Sequence, residues 1–339
     1  MTAIMKKFRI IFIGTSEFGL PAFQALTREP DFEIVLAVTQ PDKPVGRKQL
    51  LVASPIKQAA EKLGLTVLQP ERLIDIREKI ALLKPDLIVV IAYAQLLPEA
   101  ILNIPKFGCL NLHGSLLPKY RGAAVIAAAL LNRDAQTGLT VIKMDKGLDT
   151  GSILAQTKID IAPDETAGSL YDKLSALSPD FLVNAIKKYL AGKIRPAAQD
   201  EARASYVKIL TKADGLINWS KPAAELERFI RAMTPWPNAW TWWRGKQVKI
   251  LAAQNQPIEI NSYKPGKTFK YNTGLAVQCG RDALIIKKLQ LEGKNELISE
   301  EFLRGQKDFM GSVLGENKAP AHFHMRALQS PCVAIIHTS

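Results

Sequence analysis

Between Arg9 and Met144 the chain passes again and again through a short, almost wholly apolar stretch and then into a segment of helical period. The apolar stretches are Arg9–Gly14, Glu33–Thr39, Val67–Leu68, Asp86–Ala92, Gly108–His113 and Leu139–Met144. A strand that is apolar throughout must be covered on both faces, which is the situation of a parallel sheet sandwiched by helices. The intervening segments supply that cover. Phe18–Thr27 places Leu20, Phe23 and Leu26 on one face, and Ser54–Leu63 opens with a serine cap and a proline in the first turn. Ile74–Leu83 and Ala123–Leu131 are further helices. The reading is an α/β, Rossmann-like, mostly parallel sheet. Ligands of such sheets sit beyond the carboxyl ends of the strands.

The pattern changes near residue 190. Residues 191–207 mix Gly, Pro and polar types, as a connection between domains does. One amphipathic helix follows, Ala223–Met233, and then short strand candidates at Ala239–Trp243, Gln247–Ala252, Gly274–Cys279 and Ala283–Leu289. Glycines punctuate them, and a small β-barrel is the expected architecture. The chain therefore divides into a sheet domain at 1–190, a linker at 191–207, a barrel at 208–315 with a last helix at Glu300–Phe309, and a weakly patterned tail at 316–339.

With 339 residues, two domains are the natural expectation. No apolar run approaches the roughly 20 residues that a bilayer requires, so no membrane association is expected. The basic start, Lys6-Lys7 and Arg9, precedes an apolar stretch too short for a signal core. Cys109, Cys279 and Cys332 are odd in number and far apart, which fits a reducing cytoplasm better than a disulfide framework. The formal charge is +13, and it is unevenly spread: from Lys208 to Lys288 there are 14 Lys and Arg against five Asp and Glu. A basic second half suits a polyanionic partner, nucleic acid ahead of an anionic membrane surface.

Four histidines occur, three of them (His322, His324, His337) in the tail. His113 ends an apolar strand, and Asn111 lies two residues before it. Residues at i and i+2 of a strand share a face, so the two side chains project together. Histidine carries protons near neutral pH, and an asparagine amide can donate to a developing oxyanion. A carboxylate beside the imidazole would complete an acid–base pair, and the glycine-flanked loop Lys143–Gly151 offers two, Asp145 and Asp149. The residues alone leave that choice open. Gly14–Gly19 lacks the spacing of a dinucleotide fingerprint, there is no Walker-type loop, and no metal ligand set is apparent. Ser115, next to His113, lacks the elbow of a serine nucleophile.

Asn111-Leu-His-Gly-Ser-Leu-Leu-Pro-Lys-Tyr-Arg-Gly-Ala-Ala124, together with Met144-Asp-Lys-Gly-Leu-Asp-Thr-Gly151, resembles the signature of the folate-dependent formyltransferases. The resemblance implies that Asn111, His113 and Asp149 form the catalytic centre, with Asp149 chosen over Asp145. It implies 10-formyltetrahydrofolate as co-substrate, lodged along Ser115, Leu116, Leu117 and Pro118 and beside Ile91, Tyr93 and Leu97. Alanine stands at position 94, where the family commonly has glycine. Gln40–Arg47 and Ser54–Lys57, with Asn218-Trp219 and Thr234–Asn238, further resemble the branch that acts on initiator methionyl-tRNA. That likeness spans about residues 8–312 and makes the second domain a barrel of oligonucleotide-binding type. Lys43, Arg47, Lys48 and Arg121 are then the expected tRNA contacts, in a monomeric enzyme. Formylation of an amino-sugar nucleotide, hydrolysis of the formyl donor and a non-enzymatic RNA-binding module are the competing readings.

Overall fold

The computed structural model describes residues 7–45, 50–257, 263–272 and 274–315. The first domain runs β1 (Phe8–Gly14), α1 (Leu20–Arg28), β2 (Phe32–Val38), β3 (Lys43–Val45), β4 (Leu50–Val52), α2 (Pro55–Lys62), β5 (Val67–Leu68), α3 (Arg77–Leu82), β6 (Leu87–Ile91), α4 (Glu99–Leu102), β7 (Cys109–His113), β8 (Arg121–Gly122), α5 (Val125–Leu131), β9 (Gln136–Lys143), β10 (Ser152–Asp160) and α6 (Ala167–Leu190). A seven-stranded sheet forms with the order β10-β9-β7-β6-β1-β2-β5. The five strands from β7 to β5 are mutually parallel, and β9 is antiparallel to both its neighbours.

The continuous apolar runs are explained by this sandwich. In β1, Ile10 and Phe12 pack with helices α1, α2 and α6, while Ile11 and Ile13 pack with α3, α4 and Tyr93 on the other face. All four are wholly buried. At about 25 cal/mol per Å² of apolar surface, such fully covered strands are where most of the domain's stabilisation arises.

Two elements lie beyond the reach of the sequence pattern. The 24-residue α6 carries Pro179 in its interior, which reads as a break because proline has no N–H to donate. The helix continues past it, anchored by a capping box at Thr166 and Ser169 and by buried Leu170, Leu174, Leu182 and Ile186. Strand β10 closes the sheet edge with only Leu154 buried.

The second half holds β11 (Tyr206–Val207), α7 (Ala223–Met233), β12 (Ala239–Trp243), β13 (Lys246–Gln256), β14 (Thr268–Tyr271), β15 (Gly274–Gln278), β16 (Ala283–Leu291), β17 (Glu296–Ile298) and α8 (Ser299–Gly305). Strands β12-β13-β16-β15-β14 form one antiparallel sheet, with β17 added on β16. Register shifts between Ile250 and Ala253 bulge the long β13 and bend it, as small barrels require. The last helix is shorter than expected: α8 stops at Gly305 and a 3₁₀ turn at Lys307–Phe309 follows. Helix α7 buries Leu226, Phe229, Ile230 and Met233, and one apolar cluster runs through it from the first sheet's helices to β13 and β16. The segment between the domains does more than connect them. Its Tyr206–Val207 pairs in parallel with Arg121–Gly122, and Ala197 bridges Ile153.

Candidate active site

Of the expected catalytic residues, His113 and Asp149 come together at the carboxyl end of β7, and Asn111 lies two residues before His113 on that strand. That strand is held between β6 and β9, with Asn111 opposite Val90 and Ile142 and His113 opposite Thr140. The His113 ring is buried, with Nε2 2.9 Å from the Tyr120 carbonyl oxygen. A carbonyl only accepts, so Nε2 carries a hydrogen there. Nδ1 faces Asp149, 3.7 Å from Oδ2. That separation is an ion-pair distance rather than a hydrogen bond. The buried side-chain oxygen of Asn111 has no hydrogen-bond partner among the described residues. A buried orphan of this kind costs stability and marks a place where a ligand can supply the missing partner.

The two loop aspartates differ in what each one touches. Asp145 caps its own loop, accepting from the Gly147 N–H at 3.0 Å and from the Thr150 hydroxyl. Asp149 reaches across to the histidine and accepts the Gly122 N–H at 2.8 Å. Its backbone lies at φ 55°, a left-handed geometry that costs a non-glycine residue energy and needs support from its surroundings. Gly151 is required close by, since a Cβ there would sit 2.2 Å from the Lys143 carbonyl oxygen.

The two loops expected to line a folate site flank this centre. Thr140 donates to the Ser115 carbonyl at 2.6 Å and accepts from the Leu117 N–H, and Gln156 donates to the Leu117 carbonyl. Within that loop the Ser115 side chain is buried and its hydroxyl is spent on Lys119 and Tyr120 carbonyls; Leu117 is also buried, while Leu116 and Pro118 stay half-exposed. Beyond β6, Ala92 and Ala94 lie at φ 49° and 63°, where a glycine sits without strain. Between them Tyr93 points inward; its hydroxyl is buried without a partner among the described residues, and burial pushes its pKa up to about 12. Ile91 and Leu97 are buried.

The residues expected at a tRNA surface divide. Lys43 is exposed on a β3–β4 hairpin that pairs Lys43 with Val52 and Val45 with Leu50. Leu50, Leu51 and Val52 are exposed on the same hairpin, an unusual run of apolar side chains to leave in water. Arg47 and Lys48 fall outside the described residues. Asp42 anchors the hairpin's base: Lys57 reaches it at 2.6 Å and Gln69 at 2.7 Å, and these bonds hold its carboxyl below the usual range. Arg121 is a correction. Its side chain is wholly buried, and its guanidinium is occupied by Gln199, Glu201 and Tyr206, leaving it unavailable to a phosphate.

Residues 6–186 match the family model described as formyl transferase, and residues 209–307 match that of the formyl transferase carboxyl-terminal domain. The chain belongs to the formyl transferase family. Among its relatives, proteins named methionyl-tRNA formyltransferase match almost end to end. One from Lachnospira eligens is 43% identical over 316 residues, covering 91% of this chain and 100% of its own. One from Desulfotalea psychrophila is 44% identical, covering 91% and 96%. Solved structures with the same fold include the sugar 3N-formyl transferase WlaRD (TM-score 0.61, 20% identity, 86% of this chain and 99% of its own). HypX from Aquifex aeolicus, crystallised with tetrahydrofolic acid, aligns at TM-score 0.59 and 16% identity over 91% of this chain and 48% of its own. At those identities the likeness concerns the fold of this family alone.

Gln199, Tyr120 and Gly122 touch His113 or Asp149 and were not singled out by the sequence; the contacts are made by a side-chain amide and by backbone groups.

Proposed function

We propose that this formyl transferase moves the formyl group of 10-formyltetrahydrofolate onto the α-amine of methionine on initiator tRNA. The observation that carries the reading is end-to-end likeness: relatives of that name share both the site-bearing sheet domain and the basic second domain. 10-Formyltetrahydrofolate supplies a formyl carbon activated by its bond to N10. As the amine attacks, a C–N bond forms, the N10–carbon bond breaks, and the amine's proton goes to N10. Asn111 and His113 donate to the formyl oxygen while it carries negative charge. Because Nε2 is committed to the Tyr120 carbonyl, Nδ1 is the edge from which the ring donates when it is protonated, and at 3.7 Å that edge is not hydrogen-bonded to Asp149. Asp149 balances the imidazolium and accepts the amine proton on its way to N10.

A groove on the second domain supports the choice of acceptor. It is lined by Lys212, Lys249 and Lys294 with Trp236, a residue that is 58% exposed. Its carboxylate, Glu292, accepts the Gln247 N–H at 3.0 Å. Cations around an exposed aromatic suit a nucleic-acid backbone and an unstacked base. Exchanging Lys212, Lys249 and Lys294 for Ala together should raise KM for the tRNA and flatten its dependence on salt, with kcat unchanged. Steady-state kinetics from 50 to 200 mM salt check this, and an unaltered salt slope removes the groove from the interface. The free buried thiols of Cys109 and Cys279 suit a cytoplasmic enzyme, and we take it to act as a monomer.

The rival reading is formylation of an amino-sugar nucleotide. A small acceptor has no use for the exposed hairpin or the lysine-lined groove. Mixing the protein with 10-formyltetrahydrofolate and either charged initiator tRNA or an amino-sugar nucleotide separates the two. Formyl-methionine on the tRNA is expected; product from the nucleotide alone overturns the proposal.

A further inference from the structure

We propose that the segment between the two domains is part of the catalytic site, and that Gln199 is a positioning residue setting Asp149 against His113. The inference rests on the function proposed above for its kinetic test, though not for its spectroscopic one. Three backbone points fix the His113–Asp149 pair, and the segment from Ala197 to Val207 reaches each of them. The first is the Asp149 peptide. The Gln199 side-chain amide donates to the Asp149 carbonyl and to the Gly151 carbonyl, both at 2.7 Å, bridging the loop on either side of Thr150. The second is Gly122, whose N–H holds the Asp149 carboxylate; Val207 pairs with it, and a Cβ on Gly122 would lie 2.3 Å from the Val207 carbonyl oxygen. The third is Tyr120, whose carbonyl fixes Nε2 of His113; its own N–H is held by the Ser205 hydroxyl at 2.9 Å.

Gln199 is itself oriented. An amide side chain can turn over and exchange its oxygen and nitrogen, which would present an acceptor to two carbonyls. Arg121 prevents that by donating to Gln199 Oε1 from Nε at 3.1 Å and from Nη2 at 2.9 Å. The guanidinium's other donors go to both oxygens of Glu201 and to the Tyr206 hydroxyl, all three partners lying in the same segment. A buried arginine with its fork filled in this way is rigid. The left-handed φ of Asp149 is the feature that such rigidity supports: the strained residue persists because its carboxylate and its carbonyl are both restrained. A misplacement of about 1 Å at a catalytic group can cost about a hundredfold in rate, so loss of the bridge should show in turnover.

The variants are Gln199→Glu and Gln199→Leu. Gln199→Glu keeps an oxygen for Arg121 but sets a carboxylate oxygen against the two loop carbonyls; Gln199→Leu removes both roles. Each should lower kcat by about ten- to a hundredfold with KM for both substrates within about twofold. In an Asp149→Asn background, Gln199→Leu should cost little more, because the residue acts through Asp149. In the unliganded protein the imidazole NMR signals of His113 should shift at fixed pH in both Gln199 variants. Equal losses from Gln199→Leu with and without Asp149, or unmoved His113 signals in a folded variant, overturn the proposal. Absence of formyl transfer by the wild-type chain would count against the proposed function instead, and the NMR measurement still decides the role of Gln199. Should Gln199→Glu fail to fold, Gln199→Leu and Ser205→Ala carry the same two readouts.

Discussion

His113→Gln should lower the single-turnover rate of formyl transfer by about 10²- to 10³-fold, the range for loss of a donor to a developing oxyanion. Glutamine retains an amide donor that can serve the Tyr120 carbonyl, so the buried acceptor is not abandoned and the fold should survive. Asp149→Asn should fall in the same range, because the amide can neither balance an imidazolium nor accept a proton. Its restraint by Gly122 survives through the asparagine oxygen, which still accepts that N–H. The informative comparison is the double variant. Residues that act as a unit are strongly non-additive, so removing both should cost little more than removing one. Single-turnover kinetics at saturating co-substrates, with thermal melts alongside, make the measurement. A His113→Gln enzyme within threefold of the wild-type rate would remove the histidine from the chemistry, and full additivity would mean that the pair does not work together.

The site was legible in the sequence wherever it was built by one strand. Asn111 and His113 share a face because they are two apart on β7, and strand geometry leaves no other outcome. The first sheet was legible for the same reason: wholly apolar runs have one stable environment, and the helices between them cover it. Legibility stops where partners come from far away. Loop acids at 145 and 149 look alike on paper; the structure separates them because only Asp149 meets His113, 36 positions back along the chain. Arg121 misled in the opposite direction. A basic residue beside an active-site loop resembles a phosphate contact, and nothing local announces that Glu201, Gln199 and Tyr206 will close over it about 80 residues later. Helix α6 was obscured by Pro179, and β14 and β17, only four and three residues long, are too short for alternation to show. The likeness to the formyltransferases is what pointed to Asp149 and to the formyl donor, a choice that local physics left open.

Asn111→Ala should slow formyl transfer about a hundredfold or more, since one donor to a developing oxyanion contributes roughly 3 kcal/mol. Its effect on stability should run the other way. The side-chain oxygen of Asn111 is buried and unpartnered among the described residues, so its desolvation is uncompensated there. Alanine removes that orphan and leaves the backbone pairing of β7 with β6 and β9 intact, so the melting temperature should hold or rise. The oxygen that carries this cost only accepts; the amide N–H groups donate, so stability and rate report on opposite ends of the same side chain. Asn111→Asp sharpens the test. The shape is kept, but a carboxylate offers no amide hydrogen and repels negative charge on the formyl oxygen, so this variant should be slower than Asn111→Ala despite being nearly isosteric. The comparison needs kcat and KM for both substrates, together with melting curves. Asn111→Asp at or above the rate of Asn111→Ala would mean that the side chain does not face the developing charge, and the donor at this site would have to be sought elsewhere.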